Sequence, residues 1–326
     1  MPSSMTHTYF GKDVIKKLPK EYLSLIDSNF YLFCQGPDPY MFNHFLLDKK
    51  SVSIQSNMHS NKTKDFFINT IKNIYENKYF THPEIMSYLY GYICHYYLDL
   101  QTHPYIYYKS GLFRKKDKST YQYNGQHQKM EYIIDLYMIE KREKTNPNQF
   151  KIDKKIFSLK KFSKELSKLI NLTLNQTYSY QNMSTLYYHS AIYMKLFYRF
   201  FNYDPHGIKQ KIYKIWDIIT SPSIIKLEEL SFHQNYNKYI HYLNLEHNKW
   251  YYPWDNTKYF TTSFEDEYNI ALENATNTII KVTEMLKKDT WDQTLLNTLF
   301  QDLSYTTGLP CKEKLKMKYF EQKQDW

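Results

Sequence analysis

Apolar side chains recur every three or four residues along most of the chain, which is the period of an α-helix that buries one face. The clearest example is the stretch 63–77, in which Phe66, Phe67, Ile71 and Ile74 fall on one stripe. The same pattern predicts helices over residues 20–33, 82–102, 125–143, 158–176, 183–202, 207–220 and 290–304. We therefore predict an all-α fold.

Local signals predict both ends of the helix over residues 82–102. Thr81 and Glu84 have the spacing of a capping box, and Pro83 would occupy the first helical turn. Pro104 disfavours helical geometry at the residue before it. The helix is therefore predicted to end just before Pro104.

The helical pattern weakens between residues 221 and 262, where "YYPWDNTKYFTTS" predicts a loop. Ser263 and Asp266 then have the spacing of a helix cap. The apolar face of that helix would carry Phe264, Tyr268, Ala271, Ala275 and Ile279.

No internal repeat or Gly/Ser-rich linker divides the sequence, so we predict one multi-helix domain over residues 1–326. The polar stretch 141–155 predicts an exposed connection, and residues 156–326 would add further helices. Mean hydropathy is −0.68, and no apolar run reaches the roughly 18 residues of a membrane span. The N-terminal residues lack the apolar core of a secretory signal. We expect a cytoplasmic protein, or a secreted one if a leader has been removed.

The net charge of +10 raises the question of nucleic acid or anionic lipid as a partner. Only Arg114, Arg142 and Arg199 among the 43 basic residues are arginine, the residue that bidentate phosphate recognition favours. The abundance of Lys, Asn, Ile and Tyr is typical of an AT-rich genome, which explains the charge better. With seven glycines and no GxGxxG or GxxxxGK[ST] motif, a nucleotide-binding loop is not indicated.

The stretch "YLYGYICHYYLDLQTHPY", residues 88–105, is strongly apolar yet carries His95, Asp99 and His103 at four-residue intervals. On a helix, residues four apart project from the same face. A carboxylate buried among tyrosines needs a partner. A divalent cation would satisfy this stretch, and so would a polar network of tyrosine hydroxyls with a capping histidine; the stretch alone does not choose between them.

Further residues of metal-binding type occur outside this stretch. His127 and Glu131 again stand four apart, although such pairs are also common on solvated helix faces. Asp38 lies in the Pro-flanked turn "GPDPY", where it could simply cap the turn, while His59 and His7 lie in "SNMHSN" and "MTHTYF". Taken together, eight nitrogen and oxygen ligands without a thiolate suit two or three zinc ions, an arrangement used for phosphate-ester hydrolysis.

In chain order this series resembles the zinc-dependent phospholipases C of bacteria, which are all-helical enzymes with a tri-zinc site, related in fold to single-strand-specific zinc nucleases. The family pattern is His, Asp, His, then HxxxD followed by His, then HxxxE. It is filled here by His7, Asp38, His59, His95, Asp99, His103, His127 and Glu131. The resemblance implies a single helical domain with a metal cluster in a cleft between helices, and its motifs lie within residues 5–140.

The resemblance also implies a role for each residue. One zinc would be held by His59, His95, Asp38 and Asp99. A second would be held by His103, His127 and Glu131. A third would be held by His7 and by Asp99, which would bridge two ions, and Asp38 would act as general base.

Two features depart from the secreted members of the family. Those enzymes complete the third zinc site with an N-terminal tryptophan, whereas this chain has no tryptophan before Trp216. The third site would then use a processed N-terminus near Pro2 or a water, or stay vacant. His103 also follows Asp99 by four residues, a narrower gap than in the secreted enzymes.

The function implied is metal-assisted hydrolysis of a phosphodiester, with a phospholipid or related head-group ester as the expected substrate. Two alternatives remain open: a zinc nuclease or nucleotide phosphodiesterase of the same fold, and a catalytically inactive helical metal-binding protein. The shortage of arginine makes nucleic acid the less favoured partner. The basic tail "KLKMKYFEQKQDW" is partly amphipathic and could touch a membrane surface, although a solvated terminal helix is the simpler interpretation.

Overall fold

A computed structural model of the chain describes residues 4–46, 49–221, 226–231, 236–313 and 315–321. Its helices, numbered in chain order, are α1 (Ser4–Lys17), α2 (Phe30–Phe33), α3 (Lys49–Ser60), α4 (Thr63–Glu76), α5 (Pro83–Ser110), α6 (Gln126–Glu143), α7 (Ile152–Lys155), α8 (Lys164–Tyr178), α9 (Met183–Phe197), α10 (Ile208–Thr220), α11 (Phe264–Lys287) and α12 (Gln293–Leu299). Two short strands, β1 (Trp250–Tyr252) and β2 (Asp255–Phe260), form an antiparallel hairpin. The predicted all-α class is confirmed.

Helix α5 lies at the centre of the fold, where α1, α2, α6 and α11 pack around it. Both of its faces are buried, including the rings of Tyr88, Tyr92 and Tyr96. Helix α2 passes so close that a Cβ atom at Gly91 would lie 2.5 Å from the carbonyl carbon of Phe33. Aromatic packing and close backbone approach therefore hold α5 as a rigid platform for the residues it carries.

The predicted start of α5, with Pro83 in its first turn, is confirmed to within one residue, but the predicted capping box and the predicted C-terminal end are wrong. His82 is the N-cap residue, and the Glu84 carboxylate accepts a hydrogen bond from the Ser163 amide (3.1 Å) instead of closing a capping box. The helix continues through Pro104 to a C-cap at Gly111. An internal proline costs about 3 kcal/mol, which burial of residues on both sides of it, such as fully buried Tyr105, offsets.

The single helix predicted over residues 20–33 is wrong. A 3-10 segment, Lys20–Leu25, is followed by the one-turn helix α2. Between them the Asp27 carboxylate accepts a hydrogen bond from the Asn29 amide (2.8 Å), so a side chain takes the place of a helical carbonyl. Helices α1 and α3 are additional elements that the apolar pattern did not indicate.

Most of the other predicted helices are confirmed, with changed ends in several. Those over 63–77, 125–143 and 207–220 are α4, α6 and α10. Those over 158–176, 183–202 and 290–304 are the shorter helices α8, α9 and α12, with a π-helical turn at Tyr198–Asn202 after α9. Helix α11 begins with the predicted capping box of Ser263 and Asp266.

The loop predicted for "YYPWDNTKYFTTS" is instead the β1–β2 hairpin. Trp250 pairs with Phe260 and Tyr251 with Tyr259, so cross-strand aromatic contacts stabilise it. The stretch 141–155 mixes exposed side chains with buried Pro147. None of the described helices combines the length and apolar character needed to cross a lipid bilayer.

The C-terminal tail is not helical over residues 315–321, the part that the structure describes, and Pro2 and residues 322–326 lie outside the described residues. The tail packs against the body of the protein: the Tyr319 amide donates to the Pro253 carbonyl (2.9 Å), and the Glu321 carboxylate pairs with Lys109 (2.6 Å).

Candidate metal centre

The eight predicted ligand residues come together in one buried cluster at the middle of α5. Each has a ligand-type atom within 3.7 Å of one belonging to another member. They are delivered by α1 (His7), by the start of the 3-10 segment Asp38–Leu46 (Asp38), by α3 (His59), by α5 (His95, Asp99, His103) and by α6 (His127, Glu131).

Asp99 is the central member of the cluster. Its Oδ1 atom lies 3.2 Å from Nε2 of His7, and its Oδ2 atom lies 3.2 Å from Nε2 of His95 and 3.5 Å from Nε2 of His59. Its side chain is 2 % exposed. The two oxygens of one carboxylate thus face different imidazoles, which is the arrangement that a bridging ligand requires.

Three sets of atoms are close enough to share a cation, with every atom in a set within 4.8 Å of the others. The sets are His7, His95 and Asp99; Asp38, His59 and His95; and His103, His127 and Glu131. The third set matches the grouping that the resemblance implies. The first two share His95, whose ring also stacks on His7 with centroids 4.5 Å apart.

Hydrogen bonds to the backbone orient two of the imidazoles. Nδ1 of His59 lies 2.9 Å from the carbonyl oxygen of Gln55, and Nδ1 of His103 lies 2.7 Å from that of Tyr305. Because a carbonyl can only accept, Nδ1 carries the proton in each ring, and the Nε2 lone pair of a neutral ring is left directed at the cluster. Backbone and carboxylate partners fix metal-binding histidines in other proteins in this way.

Asp38 is held by an amide as well as by an imidazole. Nε2 of Gln55 donates to its Oδ1 atom (3.0 Å), and Nε2 of His59 lies 3.2 Å from the same oxygen. Gln55 and His59 stand four apart on α3, so one helix face positions both contacts.

The charges in the cluster favour ionised carboxylates. Burial raises the pKa of Asp99, but the neighbouring His95 and His103 outweigh burial and hold it well below its usual range. Burial lowers the pKa of His59, but hydrogen bonds and charge from Asp38 and Asp99 raise it to about 10. Without a metal ion, His59 therefore keeps a proton between two carboxylates.

The donor set fits zinc, which binds imidazole nitrogen and carboxylate oxygen. Nε2 of His59 lies 3.4 Å from Nε2 of His95, so when both rings present lone pairs these atoms repel unless a cation lies between them. Among the described contacts, Asp38 and Asp99 have imidazole and amide partners, and their charges are not balanced by a lysine or arginine. Divalent ions would take the positions that protons occupy.

Two features outside the ligand set position His7 and His95. Asp135 on α6 accepts hydrogen bonds from the amides of Met5 (3.0 Å) and Thr6 (2.7 Å), which anchors the first turn of α1. Gly36, at φ +53°, lies against the His95 ring, and a Cβ atom there would be 2.3 Å from Cδ2. An L-residue is disfavoured at this φ and would also displace the imidazole.

A cleft of about 620 Å³ opens onto one side of the cluster. His59, His103 and His127 line it, together with the aromatic residues Tyr107 and Phe113. No lysine or arginine is among its lining residues in the described part of the chain. The C-terminal residues Ser304, Thr306, Thr307, Cys311 and Glu313 form another part of its wall.

Sequence reasoning missed the supporting roles of Gln55, Asp135 and Tyr305. Gln55 stands one helical turn before His59, and Asp135 one turn after Glu131, so i, i+4 spacing carried a signal for both. Tyr305 acts through its backbone from the far end of the chain, and its side-chain type gives no hint of that role.

A comparison with protein families matches residues 6–184, more than half of the chain, to the family described as zinc-dependent phospholipase C. No curated protein and no solved structure matches the chain. The matched region contains all eight residues of the cluster. Match and cluster together support a zinc-dependent hydrolase of phospholipase type. The chain belongs to the zinc-dependent phospholipase C family.

Proposed function

We propose that this protein hydrolyses a phosphodiester bond of a phospholipid or a related head-group ester. The observation that carries the proposal is the buried cluster centred on Asp99, which meets an open cleft through His59, His103 and His127. A metal-binding cluster closed to solvent would suit a structural role, whereas an accessible one suits catalysis.

The lining of the cleft supports a lipid-type substrate. Tyr107 and Phe113 supply apolar contact area beside the metal-binding wall. A single-stranded nucleic acid would require a track of basic residues along its backbone, and the described lining has no lysine or arginine. A phospholipid is therefore favoured over a nucleic acid as the substrate.

The ligand roles follow the contacts. One zinc would be held by His103, His127 and Glu131. A second would be held by Asp38, His59 and His95, and a third by His7. Asp99 would bridge the second and third ions. Two or three bound zinc ions would acidify a coordinated water and neutralise the phosphoryl oxygens.

Asp38 would accept the proton of the attacking water. Burial raises the pKa of Asp38, but in the metal-free cluster the hydrogen bond from His59 and the charge of His95 outweigh burial and lower it, and a bound zinc ion would supply the positive charge in their place. Asp38 is therefore charged at neutral pH, as a base must be. Gln55, which donates to its Oδ1 atom, would keep the carboxylate in one orientation.

A substrate panel tests the proposal. The zinc-loaded protein is offered bis(4-nitrophenyl) phosphate, phosphatidylcholine, phosphatidylethanolamine, phosphatidylserine and single-stranded DNA. We expect release of a phosphorylated head group from at least one phospholipid. Cleavage of DNA with every phospholipid left intact would favour the nuclease alternative, and no hydrolysis of any substrate would favour the inactive metal-binding protein.

A matched pair of variants guards against a contaminating hydrolase. His127→Asn removes a cluster residue, whereas His189→Asn changes an exposed histidine on α9. Activity should fall in the first variant and stay at the wild-type level in the second. Equal activity in both would mean that the measured hydrolysis does not come from this cluster.

A further inference from the structure

Helix α10 presents its apolar face outward. Its six large apolar side chains are 55–74 % exposed. They are Ile208, Ile212, Ile215, Trp216, Ile218 and Ile219. The residue of α10 that is buried is Asp217. This is the reverse of the usual arrangement, in which the apolar stripe of a surface helix packs on the core.

The six side chains form one continuous stripe. At 3.6 residues per turn they fall within an arc of about 160°. Lys209 and Lys214 lie just beyond the two edges of this arc, and Lys211 lies within one edge. Apart from Asp217, which faces the opposite side, α10 contains no acidic residue. The helix thus combines an exposed apolar stripe with a positively charged margin.

Hydrogen bonds on the opposite side hold α10 in this orientation. At its N-terminus, Asp204 accepts from the amides of Ile208 (3.0 Å) and Gln210 (2.8 Å). Near its C-terminus, Asp217 accepts from the amides of Leu227 (3.0 Å) and Glu228 (2.8 Å). Asp217 is buried on the inner side of the helix, so rotating the stripe inward would break its two bonds and separate its carboxylate from these partners.

The segment 226–231 connects α10 to the cleft. Asp217 binds its first residues, and the side chain of Lys226 packs beside Gly125, which lines the cleft next to His127. The C-terminal end of α10 is therefore linked through this segment to the wall of the cleft that Gly125 forms.

We propose that α10 docks the protein onto an anionic phospholipid surface. The chemistry matches an interfacial helix, with isoleucines that enter the acyl region, a tryptophan at the edge of the stripe and lysines that reach the head groups. A second copy of the stripe fits less well, because face-to-face pairing would bring lysine margins together. If the protein hydrolyses phospholipids, α10 would bring it to the membrane that contains its substrate. The biological role of the docking therefore rests on the proposed function, whereas vesicle binding can be measured independently of hydrolysis.

Vesicle sedimentation tests the docking directly. The full-length zinc-loaded protein is mixed with vesicles of phosphatidylcholine alone or of phosphatidylcholine with phosphatidylserine. We expect binding to the mixed vesicles that weakens as salt is raised. Ile215→Gln combined with Ile219→Gln should lower the bound fraction at least about tenfold, because two apolar side chains no longer leave water. Lys211→Glu with Lys214→Glu should weaken binding to the mixed vesicles.

The matched control carries the same substitution on exposed isoleucines elsewhere. Ile192→Gln on α9 combined with Ile270→Gln on α11 should bind vesicles like the wild type. The Trp216 fluorescence should shift to shorter wavelength on binding, and Trp216→Phe should lose that shift. All α10 variants should hydrolyse bis(4-nitrophenyl) phosphate at the wild-type rate, since α10 does not line the cleft.

Three results would overturn the docking proposal: absence of vesicle binding by the wild type, equal binding by the α10 and control variants, or a dimer in sedimentation velocity that the α10 substitutions dissociate without any effect on vesicle binding. Hydrolysis of bis(4-nitrophenyl) phosphate without vesicle binding would reject the docking and leave the proposed function standing. Vesicle binding with no hydrolysis of any substrate would reject the proposed function and leave the docking proposal standing.

Discussion

The carbonyl oxygen of Tyr305 lies 2.7 Å from Nδ1 of His103, a residue 202 positions earlier in the chain. The amide of the same tyrosine donates to the carbonyl oxygen of His59 (2.9 Å). One backbone unit thus ties together helices α3 and α5 at the two ends of the candidate metal centre. The C-terminal segment, which lies beyond the region matched to the family, is therefore part of the site.

Removing the Tyr305 ring should loosen the metal centre. The ring lies against His59 (5.1 Å between centroids) and His95 (5.7 Å), so Tyr305→Ala removes the packing that supports its two backbone hydrogen bonds. We expect zinc affinity to fall roughly 10- to 100-fold, the range for residues that orient metal ligands. Competition with a chromogenic chelator measures it. Tyr305→Phe keeps the ring and should bind zinc normally; an alanine variant with wild-type affinity would show that the loop does not support the site.

Asp135 should stabilise the fold through α1. Replacing it with asparagine removes the charge that accepts the amides of Met5 and Thr6, and charged hydrogen bonds of this kind contribute about 1–3 kcal/mol. Urea unfolding of zinc-loaded Asp135→Asn should show a loss of that size. The control Glu273→Gln, an exposed carboxylate on α11, should stay within about 0.5 kcal/mol of wild type. Equal stability of the two variants would show that Asp135 does not stabilise the first turn of α1.

Metal removal should destabilise the protein. Ligands assembled only in the folded state make zinc affinity part of the free energy of folding, about 4 kcal/mol when free zinc is a thousand times its dissociation constant. Chelation should therefore lower the melting temperature, and added zinc should restore it. A melting curve that is unchanged after verified metal removal would mean that the cluster is a polar network without a structural metal.

The variant Asp38→Asn distinguishes the role of Asp38 as a general base from its role as a zinc ligand. The amide oxygen can still coordinate, but the side chain no longer accepts a proton. Turnover of bis(4-nitrophenyl) phosphate should drop roughly 10²- to 10⁴-fold, the usual contribution of a general base, while most of the zinc is retained. Asp65→Asn, an exposed position on α4, should have no effect. Full activity in the Asp38 variant would reject its role as base.

The sequence could predict elements whose stability is local. Helix α4 has a regular apolar stripe, and α11 begins with a capping box of adjacent residues, so both are visible without the fold. Elements that depend on distant partners were missed. The amides at the start of α1 bind Asp135, and Pro104 is tolerated because packing around α5 outweighs its local cost.

The same distinction applies to the metal centre. His95, Asp99 and His103 share a helix face, so their convergence followed from spacing alone, whereas His7 joins them only through the fold. The outward stripe of α10 was equally hidden, because a sequence pattern shows that a helix has an apolar face but not whether the protein covers it.

Zinc stoichiometry in wild type and Asp99→Asn, measured by elemental analysis beside turnover of bis(4-nitrophenyl) phosphate, tests the central claim most directly. Asp99 stands between His7 on one side and His59 and His95 on the other, so its charge should allow neighbouring cations to bind. The account predicts at least two zinc ions per wild-type chain and a parallel loss of zinc and activity in the variant. Fewer than one zinc per wild-type chain after reconstitution, or a full zinc complement in Asp99→Asn, would contradict it.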